Sequence, residues 1–142
     1  MKNKKIIILL ICSAVLFVGL CAAIYIPSVI NNLSVEQRVS GFLDPYRTAA
    51  VEYVTAHQEA IARFGKEALS ECTVVSITYR YANDQYKSAL FFLKAPETAD
   101  EFNDNVEYIG VSVKINYSTK CTVQFEKDET GKMVIVGHEW ED

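Results

Sequence analysis

Hydrophobic positions follow three patterns along the 142 residues of the chain. The first pattern is an apolar run from Ile6 to Ile26, inside residues 6–30, which carry no charged side chain. A helix rises about 1.5 Å per residue, so this run extends about 31 Å and matches the thickness of a bilayer core. It predicts a transmembrane helix within residues 1–30, which Pro27 is expected to end or kink.

The second pattern is helical periodicity after the apolar run. A capping box at residues 34–37 begins a short helix that is predicted over residues 35–43. A longer helix is predicted over residues 45–64, because Asp44 suits the N-cap and Pro45 suits the first helical position. Apolar and aromatic side chains line one face of this longer helix at i, i+3 and i+4 spacing. They are Tyr46, Ala50, Tyr53, Val54, His57, Ala60, Ile61 and Phe64.

The third pattern is the alternation of apolar and polar residues that is typical of strands with one buried face. It predicts strands over residues 72–82, 109–117, 121–126 and 134–140. Residues 86–94 form a further apolar run whose periodicity fits either a strand or a helix, and the preceding turn signal favours a strand.

These elements predict an α+β fold. Residues 1–30 are expected to form the transmembrane helix, and residues 31–142 a domain in which two helices pack on a five-stranded, mainly antiparallel meander sheet. One-sided alternation indicates that one face of the sheet is covered, and the helix over residues 45–64 is the expected cover. Residues 97–106 are acidic and are expected to form a loop or one short helix.

The charge distribution predicts location and excludes one class of partner. Lys2, Lys4 and Lys5 precede the apolar run, and the positive-inside rule keeps them in the cytoplasm and residues 31–142 outside it. Those residues carry 11 basic and 18 acidic side chains. Because an acidic domain repels phosphate backbones, no nucleic acid is expected as a partner. The expected localisation is a cell membrane that the chain crosses once.

Two other fates of the apolar run stay open beside the uncleaved signal anchor. The segment Cys21-Ala22-Ala23 is an acceptable cleavage site for a signal peptide, although the apolar run is longer than usual for one. Alternatively, Cys21 is the anchor of a lipoprotein, but Leu20 is bulky where a small residue is normally required. All three fates place residues 31–142 outside the cytoplasm.

The remaining two cysteines, Cys72 and Cys121, lie in the predicted outer domain. Outside the cytoplasm they are expected to form a disulfide, which in a loop of this length is worth roughly 4 kcal/mol. Two separate buried thiols are the alternative. No C-x-x-C pair is present, so neither a zinc ribbon nor a thioredoxin-like site is predicted.

The two histidines are the other candidates for chemistry. If the last two strands pair, Cys121 or Val123 faces His138, and a cysteine beside a histidine can act as a nucleophile. No residue is placed to orient His138 and no oxyanion-hole motif is present, so no catalytic residue, no cofactor and no enzyme activity is predicted. A metal site would need His57 and His138 to converge with carboxylates. No HExxH-type spacing supports that, so no metal site is predicted.

An anchor and a small scaffold without a catalytic motif predict a non-enzymatic binding or assembly module that docks on another protein. The alternative is a small-ligand pocket between the 45–64 helix and the sheet. The candidate lining residues of this pocket are Tyr53, His57, Tyr79 and Phe92.

The layout of one anchor, helices and a curved meander resembles two groups of small α+β domains. One group comprises the cystatin-like and nuclear transport factor 2-like domains. The other is the membrane-anchored cytochrome oxidase complex assembly protein 1 family. The latter likeness is carried by residues 60–65, AIARFG, before a strand and by the terminal strand 134–140, VIVGHEW. The resemblance implies a shape and assigns no functional residue.

Overall fold

A computed structural model describes residues 2–86 and 93–142. Their fold is α+β, which confirms the predicted class, and the sheet they form has four antiparallel strands. The elements in chain order are α1 (Lys2–Ala56), α2 (Gln58–Ser70), β1 (Thr73–Tyr81), a 3-10 helix (Asp84–Tyr86), α3 (Ala99–Asn105), β2 (Val106–Lys114), β3 (Lys120–Lys127) and β4 (Met133–Glu141).

Helix α1 is continuous from the apolar run into the domain and has 55 residues. It passes through both Pro27 and Pro45, so the short helix predicted over residues 35–43 is not a separate element. A proline inside a helix removes one backbone hydrogen bond. Near Pro45, the Arg47 guanidinium donates to the Ser40 carbonyl over 2.9 Å. The next carbonyl along the helix is the one that lacks a backbone donor, because Pro45 has no N–H.

Burial along one face explains why α1 continues past Pro45. Val35, Val39 and Leu43 lie before the proline, Ala50 and Val54 lie after it, and all five are buried in one hydrophobic core. A break at Pro45 would separate these two halves of the same apolar face. The packing of that face therefore outweighs the helix-start signal at residues 44–45.

The long helix predicted over residues 45–64 is interrupted at His57. This residue has an extended backbone (φ −72°, ψ 126°), α1 ends at Ala56, and α2 begins at Gln58. The change of direction places Ala60 and Leu69 of α2 in the core, both almost completely buried. Gly65 bends α2 again at φ 78°, a conformation that glycine adopts without steric cost.

The strands follow one another in the order β1-β2-β3-β4, each antiparallel to the next. β1 pairs directly with β2, and Ile77 lies opposite Val111. A strand over residues 86–94 was expected to pair with β1. For the described residues of that segment, this prediction is wrong. Tyr86 belongs to the 3-10 helix, Leu93 and Lys94 have no regular structure, and residues 87–92 lie outside the described residues.

The turn after β1 has a local cause. The side-chain oxygen of Asn83 accepts a hydrogen bond from the backbone N–H of Gln85 over 3.1 Å, which closes a tight turn that leads into the 3-10 helix. Further along, the Thr98 hydroxyl caps α3 by accepting from the backbone N–H of Glu101 over 3.1 Å. The acidic segment is therefore one short helix, the second of the two expected forms.

One face of the sheet packs against α1, α2 and α3. Its buried residues alternate with polar ones on the outer face, as the sequence pattern predicts. The inward residues of β2 and β3 that are fully or almost fully buried are Val106, Ile109, Val111, Val113, Cys121, Val123 and Phe125.

The first part of α1 lies apart from this core. The side chains of residues 3–21 are all exposed although most are apolar. Within the described ranges, α1 is the helix that is long and apolar enough to cross a membrane.

Candidate functional site

The most chemically distinctive place in the described structure is the contact between the α1–α2 break and β4. His57 is the extended residue at the break, Glu59 lies in the first turn of α2, and His138 points inward from β4. One ligand atom of each residue lies within 4.8 Å of the corresponding atoms of the other two. These three residues are called the His57–Glu59–His138 cluster below.

The carboxylate of Glu59 lies beside both imidazoles. Its Oε2 atom is 3.8 Å from Nε2 of His57 and also 3.8 Å from Nε2 of His138. The two imidazole rings meet edge to face, with their centroids 4.6 Å apart. A shared carboxylate therefore faces one nitrogen of each ring.

Tyr53 determines how the His138 ring is oriented. Its hydroxyl is hydrogen-bonded to Nδ1 of His138 over 3.0 Å, so the other ring nitrogen, Nε2, is the one that faces Glu59. Tyr53 lies one helical turn before His57, and the rings of these two residues are 5.2 Å apart. One side of α1 thus contacts both histidines.

The end of the chain contacts α2 at three alternate residues, two in β4 and one just after it. His138 faces Glu59, the Trp140 ring lies 5.6 Å from the Phe64 ring, and Asp142 accepts from Arg63 over 2.5 Å. Arg63 is the first cause of the lowered pKa of Asp142. The Trp140–Phe64 and Asp142–Arg63 contacts hold α2 beside β4 independently of the cluster.

The cluster is open to solvent on one side. The side chains of His57 and His138 are 30% and 18% exposed, whereas that of Glu59 is 57% exposed. The imidazoles are therefore sheltered, and the carboxylate is free to change its rotamer.

The residues predicted to line a ligand pocket are only partly brought together. Tyr53 and His57 are in contact. Tyr79 packs instead against Tyr81 and Phe102, with ring centroids 5.5 Å and 5.9 Å apart. Phe92 lies outside the described residues.

The strand register decides which residue faces His138. Val123 pairs with His138, and Cys121 pairs with Trp140. Cys121 is only 1% exposed. Burial, followed by the charge of Glu59, raises the pKa of its thiol to about 11. A thiolate nucleophile at Cys121 is therefore disfavoured at neutral pH.

Cys72 and Cys121 do not form the disulfide expected from the sequence; both are free thiols in the structure. The register explains this difference, because β2 lies between the two residues: Val113 pairs with Val74 on one side and with Cys121 on the other. Two strand spacings amount to about 10 Å. A disulfide requires Cα atoms less than about 7 Å apart.

We expect the two thiols to react at very different rates. Treatment of the folded full-length chain with iodoacetamide at pH 7.5 should modify the partly exposed Cys72 at least about 10-fold faster than Cys121, since Cys121 has almost no accessible surface. Mass spectrometry of peptides from a time course measures both rates. Unfolding in urea is the control and should make the two rates similar. If neither thiol reacts in urea until a reductant is added, a disulfide is present.

Sequence reasoning singled out His57 and His138 but missed Glu59 and the role of Tyr53. Residues i and i+2 of a continuous helix point in different directions. His57 and Glu59 converge only because the helix is interrupted at His57, whose backbone is extended. A histidine followed two residues later by a glutamate is too common a pattern to identify a site by itself.

Comparison of the chain with protein-family models, with curated proteins and with solved structures gives no match. The resemblance in shape to cystatin-like, nuclear transport factor 2-like and cytochrome oxidase complex assembly protein 1-like domains therefore stays a prediction.

Proposed function

We propose that the protein is a single-pass membrane protein whose residues 31–142 lie outside the cytoplasm and act as a non-enzymatic binding or assembly module for another protein. The observation that carries the proposal is the continuity of α1. The same helix has exposed apolar side chains over residues 3–21 and buried ones between Val35 and Val54.

A continuous helix connects the domain rigidly to its membrane anchor. Between Ile26, at the end of the apolar run, and Val35, the first core residue, α1 extends only about 14 Å. A domain held this close to a bilayer by a helix keeps one orientation, which suits a module that meets a partner in or at the same membrane. Lys4 and Lys5 at the opposite end favour a cytoplasmic N-terminus.

The burial of Cys121 supports a non-enzymatic role, since it disfavours the one nucleophile that the sequence offered beside a histidine. The small-ligand alternative is less well supported. Ala50 and Val54 of α1 are fully buried against the sheet, and Tyr79 lies apart from Tyr53 and His57. These side chains fill the part of the helix–sheet interface where such a pocket was expected.

A cysteine-accessibility experiment tests the anchor and its orientation. In a Cys72→Ser background, we expect a membrane-impermeant maleimide to label a Tyr117→Cys variant in right-side-out membrane vesicles, because Tyr117 is completely exposed in the β2–β3 turn. A Lys4→Cys variant should be labelled only after the vesicles are opened. Labelling of the Lys4→Cys variant in intact vesicles, and of the Tyr117→Cys variant only in opened ones, contradicts the proposed orientation. Release of the chain from the membrane by alkaline carbonate contradicts the proposed anchor.

The partner is tested in the same membranes. A photocrosslinking residue at Tyr117 or at Val136, an exposed position of β4, should give a discrete adduct with a second protein if either side of the domain docks on one. The matched control carries the same residue at Phe17, within the apolar run. Adducts limited to copies of the chain itself, or none from a panel of exposed positions, contradict a docking function.

A further inference from the structure

We propose that the His57–Glu59–His138 cluster binds a divalent first-row transition metal ion, with Zn²⁺ as the representative ion, and thereby ties the α1–α2 break to β4. This proposal does not depend on the membrane anchor or on a protein partner. It rests on the donor set, the distances, and the orientation of His138 by Tyr53.

The donor set is the first support. His57 and His138 are the two histidines of the whole chain, and they are far apart in sequence. The fold brings both beside one carboxylate. Two imidazoles and a carboxylate form a common ligand set for Zn²⁺, and imidazole ligands select zinc, copper, nickel or iron over calcium or magnesium.

The distances fit an ion after a small contraction. Bonds of about 2.0–2.1 Å in a tetrahedral zinc site place neighbouring ligand atoms about 3.4 Å apart. Glu59 Oε2 is 3.8 Å from Nε2 of each histidine, and no ligand pair of the cluster exceeds 4.8 Å. The exposed Glu59 side chain can shorten its own two distances to the imidazoles without disturbing the core.

Tyr53 is the third support, because it already makes the contact that a metal-bound histidine needs. A histidine that binds a metal through one ring nitrogen usually donates its other N–H to an oxygen, which holds the ring in place. Here the Tyr53 oxygen lies 3.0 Å from Nδ1 of His138. In the tautomer in which Nδ1–H donates to this oxygen, Nε2 presents its lone pair toward Glu59, as metal binding requires. Tyr53 is therefore a positioning residue for His138.

Three protein ligands leave a fourth position of a tetrahedral ion on the exposed side of Glu59, where water can occupy it. The proposed consequence is mechanical. An ion shared by His57 and Glu59 at the helix break and by His138 on β4 would restrict motion of α2 relative to the sheet.

The test is a titration of the full-length chain in detergent, purified with a tag that contains no histidine. We expect isothermal calorimetry to show one Zn²⁺ per chain with a Kd of about 10 µM or tighter. Trp140 offers a second readout, since its ring is 5.6 Å from His138 and it is the only tryptophan of the chain. One equivalent of Cu²⁺ should quench its fluorescence, and Zn²⁺ should compete.

Matched variants assign the ligands. Glu59→Gln should weaken Zn²⁺ binding at least about 10-fold, and His57→Ala and His138→Ala at least about 100-fold. Glu67→Gln, an exposed glutamate of the same helix, is the control and should bind like the parent chain. Tyr53→Phe keeps the ring but removes the hydroxyl, and is expected to weaken binding about 10-fold.

Glu59→Gln keeps the proposal falsifiable if the histidine variants fail to fold, because Glu59 is exposed and α2 is also held by Arg63 and Phe64. Equal Zn²⁺ affinity of the Glu59→Gln and Glu67→Gln variants overturns the proposal. A Zn²⁺ Kd of the unsubstituted chain that is weaker than about 1 mM also overturns the proposal. The cluster would then be a set of hydrogen-bonded and ionic contacts only.

Discussion

Replacing Phe102 by alanine is expected to destabilise the domain by about 3–5 kcal/mol, the usual cost of removing a buried phenylalanine side chain. Phe102 in α3 is completely buried. Its ring packs against Phe42 of α1 and against Tyr79 and Tyr81 of β1, with centroids 5.7, 5.9 and 6.1 Å apart. The substitution leaves a cavity where two helices meet the sheet, so all three elements lose contacts.

Urea unfolding of the full-length chain in detergent, followed by Trp140 fluorescence, measures this loss. Tyr117→Ala is the matched control, because it also removes an aromatic ring but from a fully exposed position, and it should change stability by less than about 0.5 kcal/mol. A change below about 1.5 kcal/mol for Phe102→Ala means that the ring is not in the core of the folded domain.

Val54→Asp is expected to have an effect of at least similar size, about 3–5 kcal/mol or complete loss of folding. Val54 lies near the end of α1 and is only 1% exposed within the core cluster. A carboxylate at this position is removed from water. It either stays charged at a high desolvation cost or must take up a proton, and both reduce the stability of the folded state.

Val136→Asp is the control for this second substitution. It introduces the same side chain on β4 at a position that is 52% exposed, so we expect a loss of at most about 1 kcal/mol. Far-ultraviolet circular dichroism separates the outcomes: the Val54 variant should lose sheet signal while the apolar part of α1 stays helical in the micelle. Similar stabilities of the two variants would falsify the packing of α1 on the sheet.

The strongest sequence predictions rested on long, simple patterns. The alternation over the last three strands depends only on which residues face the core, and the structure contains all three within a few residues of their predicted bounds. The exposed apolar part of α1 follows from composition in the same way. Each of these patterns is repeated over many residues, so no single contact can overturn it.

Predictions that depended on one local signal were less successful. Asp44-Pro45 is a good helix start, yet α1 continues through it because buried side chains on both sides of the proline belong to one face. The periodicity over residues 45–64 continues past His57, yet the helix ends there because α2 has to change direction to bury Ala60 and Leu69. Packing over many residues determined both boundaries.

By itself, the sequence determined an apolar N-terminal helix, an α+β domain, a sheet with one covered face, and the acidic balance of the domain. The tertiary structure alone decided that Cys72 and Cys121 lie on opposite sides of β2, and that His57, Glu59 and His138 meet. The physical reason is that hydrophobic periodicity reports which way a side chain points relative to the core. The proximity of residues distant in sequence depends instead on strand order, register and the direction of a helix after a break.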